Sequence, residues 1–485
     1  MTNDKLKKSI CLFCSLGCGV CFRTERHNII AIDYDKDNPI NHGSLCPRGH
    51  YNIELLNHPQ RISEPMIGPK KTSWEEAISS VRAKLKDADP ASVGILLSGM
   101  ASNEEALMAA KLAKTFGIKN VSSAGDFSDI EAFSGARWEV EPCSIAKVED
   151  IDSVESLLII GDILTRSPIL SQRINKVKYG KRGNKIIVVD PNRSHTSWFA
   201  TNHLKIKPGT EAALLAAFVK VISGDKIELD LNKAAEITGI PAERIISAAK
   251  DFHSLASGVI IISPSVLKNR NDLIKYYSKV ICNLSPNKKQ IAFYSYGNSL
   301  GVNIILDQAV EARTSYFDMV KKISSGEIDK LLMFGDNVFA GNINIEKQME
   351  KMALLAISTY FRQKPINPSQ IIFPLASHLE EDGSFTLADN RTEEHVPVSL
   401  KSGRRSNFDI ISNILNNNED RDKLKTEASA MIARGHLSVK TNLSDKISEA
   451  MDIAPQAEYP PENITHFGNN DIVKNFFWFK VRREA

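Results

Sequence analysis

The sequence predicts an α/β fold, in which a small N-terminal β domain precedes two doubly wound parallel-sheet domains. Three observations carry this prediction. The chain has 485 residues, more than a single hydrophobic core usually organises. Short apolar runs that end in Gly, Asp or Ser alternate with amphipathic helical segments, as in parallel sheets. Five of the seven cysteines fall within the first 46 residues, which sets the N-terminus apart.

Composition and charge are those of an ordinary globular protein. Hydrophobic residues make up 42% of the chain and charged residues 25%. The formal net charge is +3 and no basic block dominates, so the charge distribution does not indicate a nucleic-acid-binding surface. The N-terminus has neither an apolar signal segment nor a twin arginine, and no run of about 18 apolar residues occurs. We therefore expect a cytoplasmic protein without a transmembrane segment.

The N-terminal cysteines are predicted to bind a metal cluster. The stretch "CLFCSLGC" places Cys11, Cys14 and Cys18 at C-x2-C-x3-C, and Cys46 follows a predicted β unit, "NIIAIDYD", and a turn, "KDNPINHG". Clustered thiols in a reducing compartment favour a metal over disulfides. Three thiolates from one loop and one from a distant turn can wrap a [4Fe-4S] cubane. A zinc site, which prefers two C-x2-C knuckles, is the alternative, and Cys21 is either a buried spare thiol or an alternate ligand.

The elements that follow alternate between helix and strand. A helix over "SWEEAISSVRAKLK" leads to a strand over "SVGILLSG", and a helix over "SNEEALMAAKLAKTFG" leads to a strand over "IKNVSSAG". Buried strands are predicted in "VESLLIIGD" and "NKIIVVDPNRS", joined by a crossover helix, and a helix follows the turn in "KPGTEAALLAAFVKVI". Further strands are predicted in "GVIIISPS", "DKLLMFGDN" and "KMALLAIST". Nucleotides bind where the strands of such sheets end.

The cysteine pattern, followed by "CPRG", resembles the N-terminal [4Fe-4S] domain of the molybdopterin oxidoreductase family. That family includes formate dehydrogenases, periplasmic nitrate reductases and the pterin-fold part of the large iron-sulfur subunit of respiratory complex I. The resemblance implies that Arg48 lies between the cluster and a pterin as an electron relay. A fixed guanidinium would stabilise the electron on a reduced cluster. A solvated surface arginine is the alternative.

The resemblance extends to about residue 415 through five separated loops: "GDILTRSP", "VVDPNRSHTSWFA", "IKPGTEAALL", "LLMFGDNVFAGN" and "FPLASHLEEDGSFTLADNR". Asp162, Asn192 and Glu211 depart from the family pattern. The resemblance implies that these loops hold molybdopterin guanine dinucleotide with Mo or W. The cofactor-binding residues it implies are Gly161, Asp162, Asp190, Asn192, Pro208, Gly209, Thr210, Gly335 and Asn337.

The loop that carries the metal ligand in catalytic relatives differs in this chain. Here "NVSSAGDFSDIEAF" puts Ser128 at the ligand position, with Asp126 and Asp129 where formate dehydrogenases have Arg and His. A formate site needs a cation for the substrate carboxylate, and two carboxylates would repel it. Cys143, 15 residues beyond Ser128, is expected to be structural.

We expect four units: a [4Fe-4S] domain over 1–64, a discontinuous α/β domain over 65–125 and 258–420, a Rossmann-like domain over 126–257, and a C-terminal helix and tail over 421–485. After "FDIISNIL" about 70 residues remain, too few for the domain that caps both dinucleotides in the family. We therefore expect either a cap on another subunit or vacant dinucleotide sites. The aromatic tail at 476–479 is either a docking arm for a neighbouring subunit or a strand packed on this chain.

Three functions follow from these observations. The first hypothesis is an iron-sulfur electron-transfer subunit of a multi-subunit redox complex, with a degenerate active site of its own. The alternative is a catalytic molybdenum or tungsten bis-pterin subunit that resembles formate dehydrogenase or formylmethanofuran dehydrogenase, with Ser128 or no protein ligand at the metal. The third is an interaction protein whose cluster is only structural. In the first two cases the partners are iron-sulfur or flavin subunits.

Overall fold

The computed structural model of the protein describes residues 5–25, 28–124, 144–264, 271–311, 313–335, 339, 343–361, 367–400, 402–435 and 443–452. The strands in these ranges are β1 (Lys5–Ile10), β2 (Gly19–Glu25), β3 (Asn28–Asp33), β4 (Met66–Ile67), β5 (Lys70–Lys71), β6 (Val93–Leu97), β7 (Asn120–Ser123), β8 (Ser156–Ile160), β9 (Lys185–Val189), β10 (Asn202–Leu204), β11 (Gly258–Ile262), β12 (Lys288–Ala292), β13 (Lys330–Phe334), β14 (Leu354–Thr359), β15 (Ile371–Pro374), β16 (Gly383–Thr386) and β17 (Thr392–His395).

The α-helices connect these strands or cover their faces. They are α1 (Pro47–Asn57), α2 (Trp74–Lys86), α3 (Asn103–Phe116), α4 (Ile163–Arg166), α5 (Leu170–Gly180), α6 (Glu211–Ser223), α7 (Leu231–Thr238), α8 (Ala242–Ser254), α9 (Asn271–Leu284), α10 (Ser299–Ala309), α11 (Tyr316–Ser325), α12 (Ile343–Met349), α13 (Asn407–Leu415), α14 (Arg421–Arg434) and α15 (Leu443–Met451). Local capping residues fix both ends of α3. Ser102 and Glu105 form a capping box at the start of α3, and Gly117 ends that helix in the left-handed conformation.

The predicted α/β architecture is confirmed. The N-terminal domain is an antiparallel sheet in the order β1-β2-β3, with α1 packed on β3. A five-stranded parallel sheet has the order β10-β9-β8-β11-β12. A seven-stranded sheet has the order β5-β4-β15-β14-β13-β6-β7, parallel except for its β4 and β5 edge. The central strands are buried on both faces, as their continuous apolar runs predict.

The expected division of the chain at 257/258 does not follow the sheets. β11 pairs with β8, from Gly258 opposite Ser156 to Ile262 opposite Ile160, and β12 pairs with β11. The chain therefore passes to the seven-stranded sheet only after β12. The apolar run of β11 could belong to either sheet. A parallel strand that is buried on both faces has no alternation of apolar and polar residues that would indicate where it pairs.

The C-terminal helix predicted after residue 420 is also part of the larger body. α14 packs against α3 and α10, and its Leu424 and Ala428 are buried in the core beside the seven-stranded sheet. The N-terminal sheet shares one continuous apolar core with the five-stranded sheet. No helix within the described ranges has both the length and the apolar composition needed to cross a bilayer.

Candidate functional site

Three of the predicted cluster cysteines lie in one hairpin loop. β1 and β2 pair until Ile10 faces Gly19, and residues 11–18 between them form the loop, which we call the cluster loop. The Cys11 amide donates to the Cys18 carbonyl at 2.8 Å and closes it. Cys11, Cys14 and Cys18 are all buried. The hairpin thus presents three thiols from a segment whose ends are fixed by strand pairing.

The fourth cysteine begins a helix. Cys46 is the N-cap residue of α1, with extended backbone angles (φ −78°, ψ 168°), and its side chain makes no capping hydrogen bond. Pro47 follows at the first helical position, where a missing N–H costs nothing. The amide end of a helix carries partial positive charge, which favours an anionic group such as a thiolate-bound cluster.

The structure brings all four cysteines to one cavity. Cys11, Cys14, Cys18 and Cys46 line it together with Arg48. The remaining lining residues are mostly apolar: Phe13, Leu16, Leu45, Gly49, Ser167, Pro168 and Ile169. The last three come from the turn that leads into α5, so the cavity lies between the N-terminal domain and the five-stranded sheet.

The electrostatics of the cavity fit an iron-sulfur cluster. Burial, with smaller contributions from Cys46 and Cys14, raises the pKa of the Cys11 thiol to about 12. Burial likewise raises the pKa of Cys18, with added contributions from the other three thiols. Four thiolates are therefore unfavourable together unless cationic metal lies among them. No group of three or more His, Cys, Asp or Glu side chains in the described part of the chain is arranged to hold a single metal ion; in a cubane each thiolate ligates its own iron.

Arg48 lines the same cavity and contacts the five-stranded body. Its Nη2 donates to the carbonyl of Thr165 at 3.4 Å and to the carbonyl of Arg166. Its Nη1 is buried and has no hydrogen-bond partner among the described residues. Arg48 thus connects the start of α1 with α4, which directly follows the first nucleotide-type loop. The Arg48 side chain is partly exposed, and its role as an electron relay stays a prediction.

The first two nucleotide-type loops follow β8 and β9. Gly161 has a φ of 82°, and the Asp162 carboxylate accepts from Thr165 N at 3.4 Å and from Thr196 Oγ1 at 2.6 Å. Asp190 is buried, and its carboxylate accepts from Asn192 N at 2.8 Å and from Ser194 Oγ at 2.7 Å.

Both carboxylates therefore stabilise their own loops. Burial raises the pKa of Asp190, and the hydrogen bonds from Ser194 and Asn192 lower it in part. Each oxygen of Asp190 keeps a second lone pair for a further donor.

The third loop begins α6. Gly209 has a φ of 82°, and Thr210 precedes the helix with its hydroxyl donating to the Lys207 carbonyl at 2.7 Å. Glu211 is fully buried, and burial raises its pKa to about 8, with the Asp190 charge adding to the shift. Pro208 to Thr210 therefore lie at the same edge of the sheet as Asp190.

The fourth loop belongs to the other sheet. Gly335 follows β13 with a φ of 109°, and its amide donates to Ser358 Oγ at 2.8 Å. A Cβ at this position would lie 2.4 Å from Ser98 Cβ, so only glycine fits. Gly335 lines a cavity with Ser98, Tyr360, His378, Glu381 and Asn407, among others. Asn337, Asp126, Ser128, Asp129, Cys143 and the tail over 476–479 lie outside the described residues.

Comparison with known proteins identifies the family. Residues 61–417 match the family model described as "Molybdopterin oxidoreductase", and residues 4–58 match "Molybdopterin oxidoreductase Fe4S4 domain". The chain belongs to the molybdopterin oxidoreductase family. Its N-terminal domain is thereby confirmed as the Fe4S4 domain of that family, whose members bind Mo or W pterin.

Relatives in this family include formate dehydrogenases and nitrate reductases. The F420-dependent formate dehydrogenase subunit alpha of Methanocaldococcus jannaschii is 24% identical over 80% of this chain and 66% of its own length. The nitrate reductase of Symbiobacterium thermophilum is 33% identical over 44% of this chain and 30% of its own length. The chain spans just under two thirds of the length of the formate dehydrogenase subunit.

Among solved structures, the acetylene hydratase from Pelobacter acetylenicus matches with a TM-score of 0.67. The match covers 87% of this chain and 70% of that one at 17% sequence identity. At this identity it establishes the shared molybdopterin oxidoreductase fold, and nothing about the reaction.

Several residues that hold the cluster loop were not predicted from the sequence. Gly297 N donates to the Leu12 carbonyl at 2.9 Å, and Tyr294 N donates to Ser15 Oγ at 2.7 Å. Ala388 N donates to the Ser15 carbonyl at 3.1 Å. These backbone donors carry no side-chain signature. The family motif "GSFTLADNR", which contains Ala388, was the one available signal.

Proposed function

We propose that the chain is the iron-sulfur subunit of a multi-subunit oxidoreductase, with Cys11, Cys14, Cys18 and Cys46 as the ligands of its [4Fe-4S] cluster. The observation that carries this proposal is the convergence of these four thiols, of which Cys11, Cys14 and Cys18 are buried and Cys46 is partly buried, on one cavity. When bound, the cluster supplies one-electron storage and transfer. The family match over residues 4–58 supports the same assignment.

The chain's own residues prepare the cavity for a negatively charged group. The start of α1 lies at Cys46, so the positive end of the helix dipole points to this part of the cavity. Arg48 adds a fixed positive charge, and its buried Nη1 has no hydrogen-bond partner among the described residues. The apolar lining, which includes Phe13 and Ile169, keeps water away and so strengthens these electrostatic interactions.

Within this proposal, a catalytic role has specific support. The relatives that align along 80% of the chain are alpha subunits named as formate dehydrogenases. On this basis we propose a molybdenum or tungsten pterin held between the two sheets, and formate or a related one-carbon compound as the substrate. The metal then has either Ser128 or no protein side chain as its ligand.

The loops at the sheet edges fit the backbone requirements of a dinucleotide. Gly161 follows β8 and Gly209 precedes α6, both with positive φ, at positions where backbone amides can approach a phosphate. Together with Asp162, Asp190, Asn192, Pro208, Thr210, Gly335 and Asn337, they form the proposed binding set. The carboxylates of Asp162 and Asp190 would keep their loop contacts and use remaining lone pairs for the ligand.

An electron-relay role is the second candidate, and the sequence supplies its support. Asp126 and Asp129 replace the Arg and His of catalytic formate dehydrogenases, which removes the cation that would hold a substrate carboxylate. In this role the subunit receives single electrons from a partner and performs no chemistry at the pterin cleft. For both roles we propose iron-sulfur or flavin subunits as partners, docked in part through the aromatic tail at 476–479.

Metal analysis of the purified complex distinguishes the two roles. Iron near four per chain with molybdenum or tungsten near one supports the catalytic role. Iron near four with neither heavy metal supports the relay. Zinc in place of iron, without visible absorbance from a cluster, would refute both the catalytic and the relay role. The metal site would then be only structural.

A further inference from the structure

Arg391 reaches the cluster loop from a distant part of the chain. Its Nη2 donates to the carbonyl of Leu16 at 3.0 Å and to the carbonyl of Gly17 at 3.2 Å. Both carbonyls lie between Cys14 and Cys18. The guanidinium therefore contacts the backbone that spaces two of the proposed iron ligands.

The Arg391 side chain is held in one orientation by two carboxylates of its own hairpin. Nη1 lies 2.7 Å from Asp389 Oδ2, and Nε lies 2.8 Å from Glu393 Oε1. The side chain of Asp389 is 3% exposed and that of Glu393 is 39% exposed, so the first pair is the better shielded. Because all three guanidinium nitrogens donate hydrogen bonds, the group has little freedom to move away from the loop.

Packing at Gly17 confirms how closely the two segments meet. Gly17 has a φ of 66°, and a Cβ there would lie 2.3 Å from Leu387 Cδ1 and 2.9 Å from Arg391 Nη2. The turn between β16 and β17 is thus fitted against the cluster loop. The Ala388 amide bond to Ser15 adds a third attachment nearby.

The charge of Arg391 acts on a proposed ligand. The guanidinium donates to the carbonyl of Gly17, the residue directly before Cys18, so its positive charge lies beside a proposed iron ligand. A positive charge that stabilises a thiolate also stabilises a cluster that has gained an electron, because reduction adds one negative charge to the same sulfur-rich site.

We propose that Arg391 positions the cluster loop and raises the reduction potential of the cluster that the loop holds. This inference rests on the proposed cluster assignment and concerns a residue that does not ligate iron. Asp389 works in the opposite direction, because its buried negative charge offsets part of the Arg391 charge. Removing one or the other should move the potential with opposite signs.

The test uses the full chain, purified without oxygen, with iron analysis and a redox titration followed by electron paramagnetic resonance. We expect Arg391→Gln to shift the potential to more negative values while iron stays near the wild-type content. Arg391→Lys, which keeps the charge, should stay closer to the wild-type potential. Asp389→Asn, which keeps the shape of a buried side chain, should shift the potential to more positive values.

Arg23→Gln is the matched control, since it removes an exposed arginine paired with Asp33 in the same domain and should leave the potential unchanged. If Arg391→Gln does not retain iron, the Asp389→Asn potential still decides the inference. Equal potentials in wild type, Arg391→Gln and Asp389→Asn would overturn it, as would a shift of the same sign in both variants. A wild-type chain without an iron-sulfur signal would refute the proposed function itself, and the inference with it.

Discussion

Replacing Gly17 with alanine tests how tightly the cluster loop is fitted. Alanine at a φ of 66° carries a backbone cost of about 1–2 kcal/mol in the left-handed region. Its Cβ would also lie 2.3 Å from Leu387 Cδ1, closer than real contacts allow, and overpacking of this kind costs about 1–3 kcal/mol. We therefore expect Gly17→Ala to lower the free energy of unfolding by about 2–5 kcal/mol.

Gly326→Ala is the matched control for this prediction. Gly326 ends α11 with a φ of 81°, and a Cβ there would meet nothing within 4 Å. The control should carry only the backbone cost of about 1–2 kcal/mol. Urea unfolding of both variants, with iron measured per chain, separates the two contributions. The reasoning is wrong if Gly17→Ala is no less stable than Gly326→Ala and binds iron as the wild type does.

Four further predictions concern the same framework. Cys46→Ser should lose the cluster, measured as iron per chain and visible absorbance. Arg48→Ala should change the cluster potential with little loss of iron, because it adds charge without ligating. Glu380→Gln should lower the free energy of unfolding by about 3–5 kcal/mol, because it leaves the buried Arg61 guanidinium, now 2.6 Å from Glu380 Oε2, without its counterion. His378 has its pKa lowered to about 3 by burial, so stability should fall by about 2 kcal/mol between pH 7 and pH 5 through this residue.

The sign of the histidine prediction follows from proton binding. The unfolded chain takes up a proton near pH 6.5 and the folded chain does not, so the contribution is full above that pH and is lost as the pH falls toward the folded pKa. Urea unfolding of wild type and His378→Leu at both pH values gives the difference. An identical pH dependence in the two proteins would contradict it.

Two of the other three predictions have a matched control variant, and the Arg48 prediction has a contradicting outcome. Cys21→Ser should keep the iron that Cys46→Ser loses, since Cys21 does not line the cluster cavity. For Arg48→Ala, an unchanged cluster potential would show that Arg48 does not lie near the cluster. Lys71→Gln, at the exposed pair with Glu64, should change the free energy of unfolding by less than about 1 kcal/mol. A loss equal to that of Glu380→Gln would contradict the difference in burial.

The sequence predicted the parts of the site whose geometry is local. Cys11, Cys14 and Cys18 are close in the chain, so one hairpin loop brings them together, and Gly161 and Asp190 end apolar runs that parallel pairing aligns at one edge. The attachments of the cluster loop could not be predicted in the same way. Arg391 contacts Gly17 across 374 residues, and Arg61 pairs with Glu380 across 319.

By itself, the sequence determined the cysteine motif, the alternation of helix and strand, and the family. Each depends on spacing or on short-range patterns, which are visible without knowing which distant residues pack against them in the fold. Only the tertiary structure decided which sheet β11 and β12 complete and which side chain holds the cluster loop. The physical reason is that a strand buried on both faces has the same apolar pattern in either sheet. A guanidinium, likewise, finds its carbonyl partners only after both hairpins have folded.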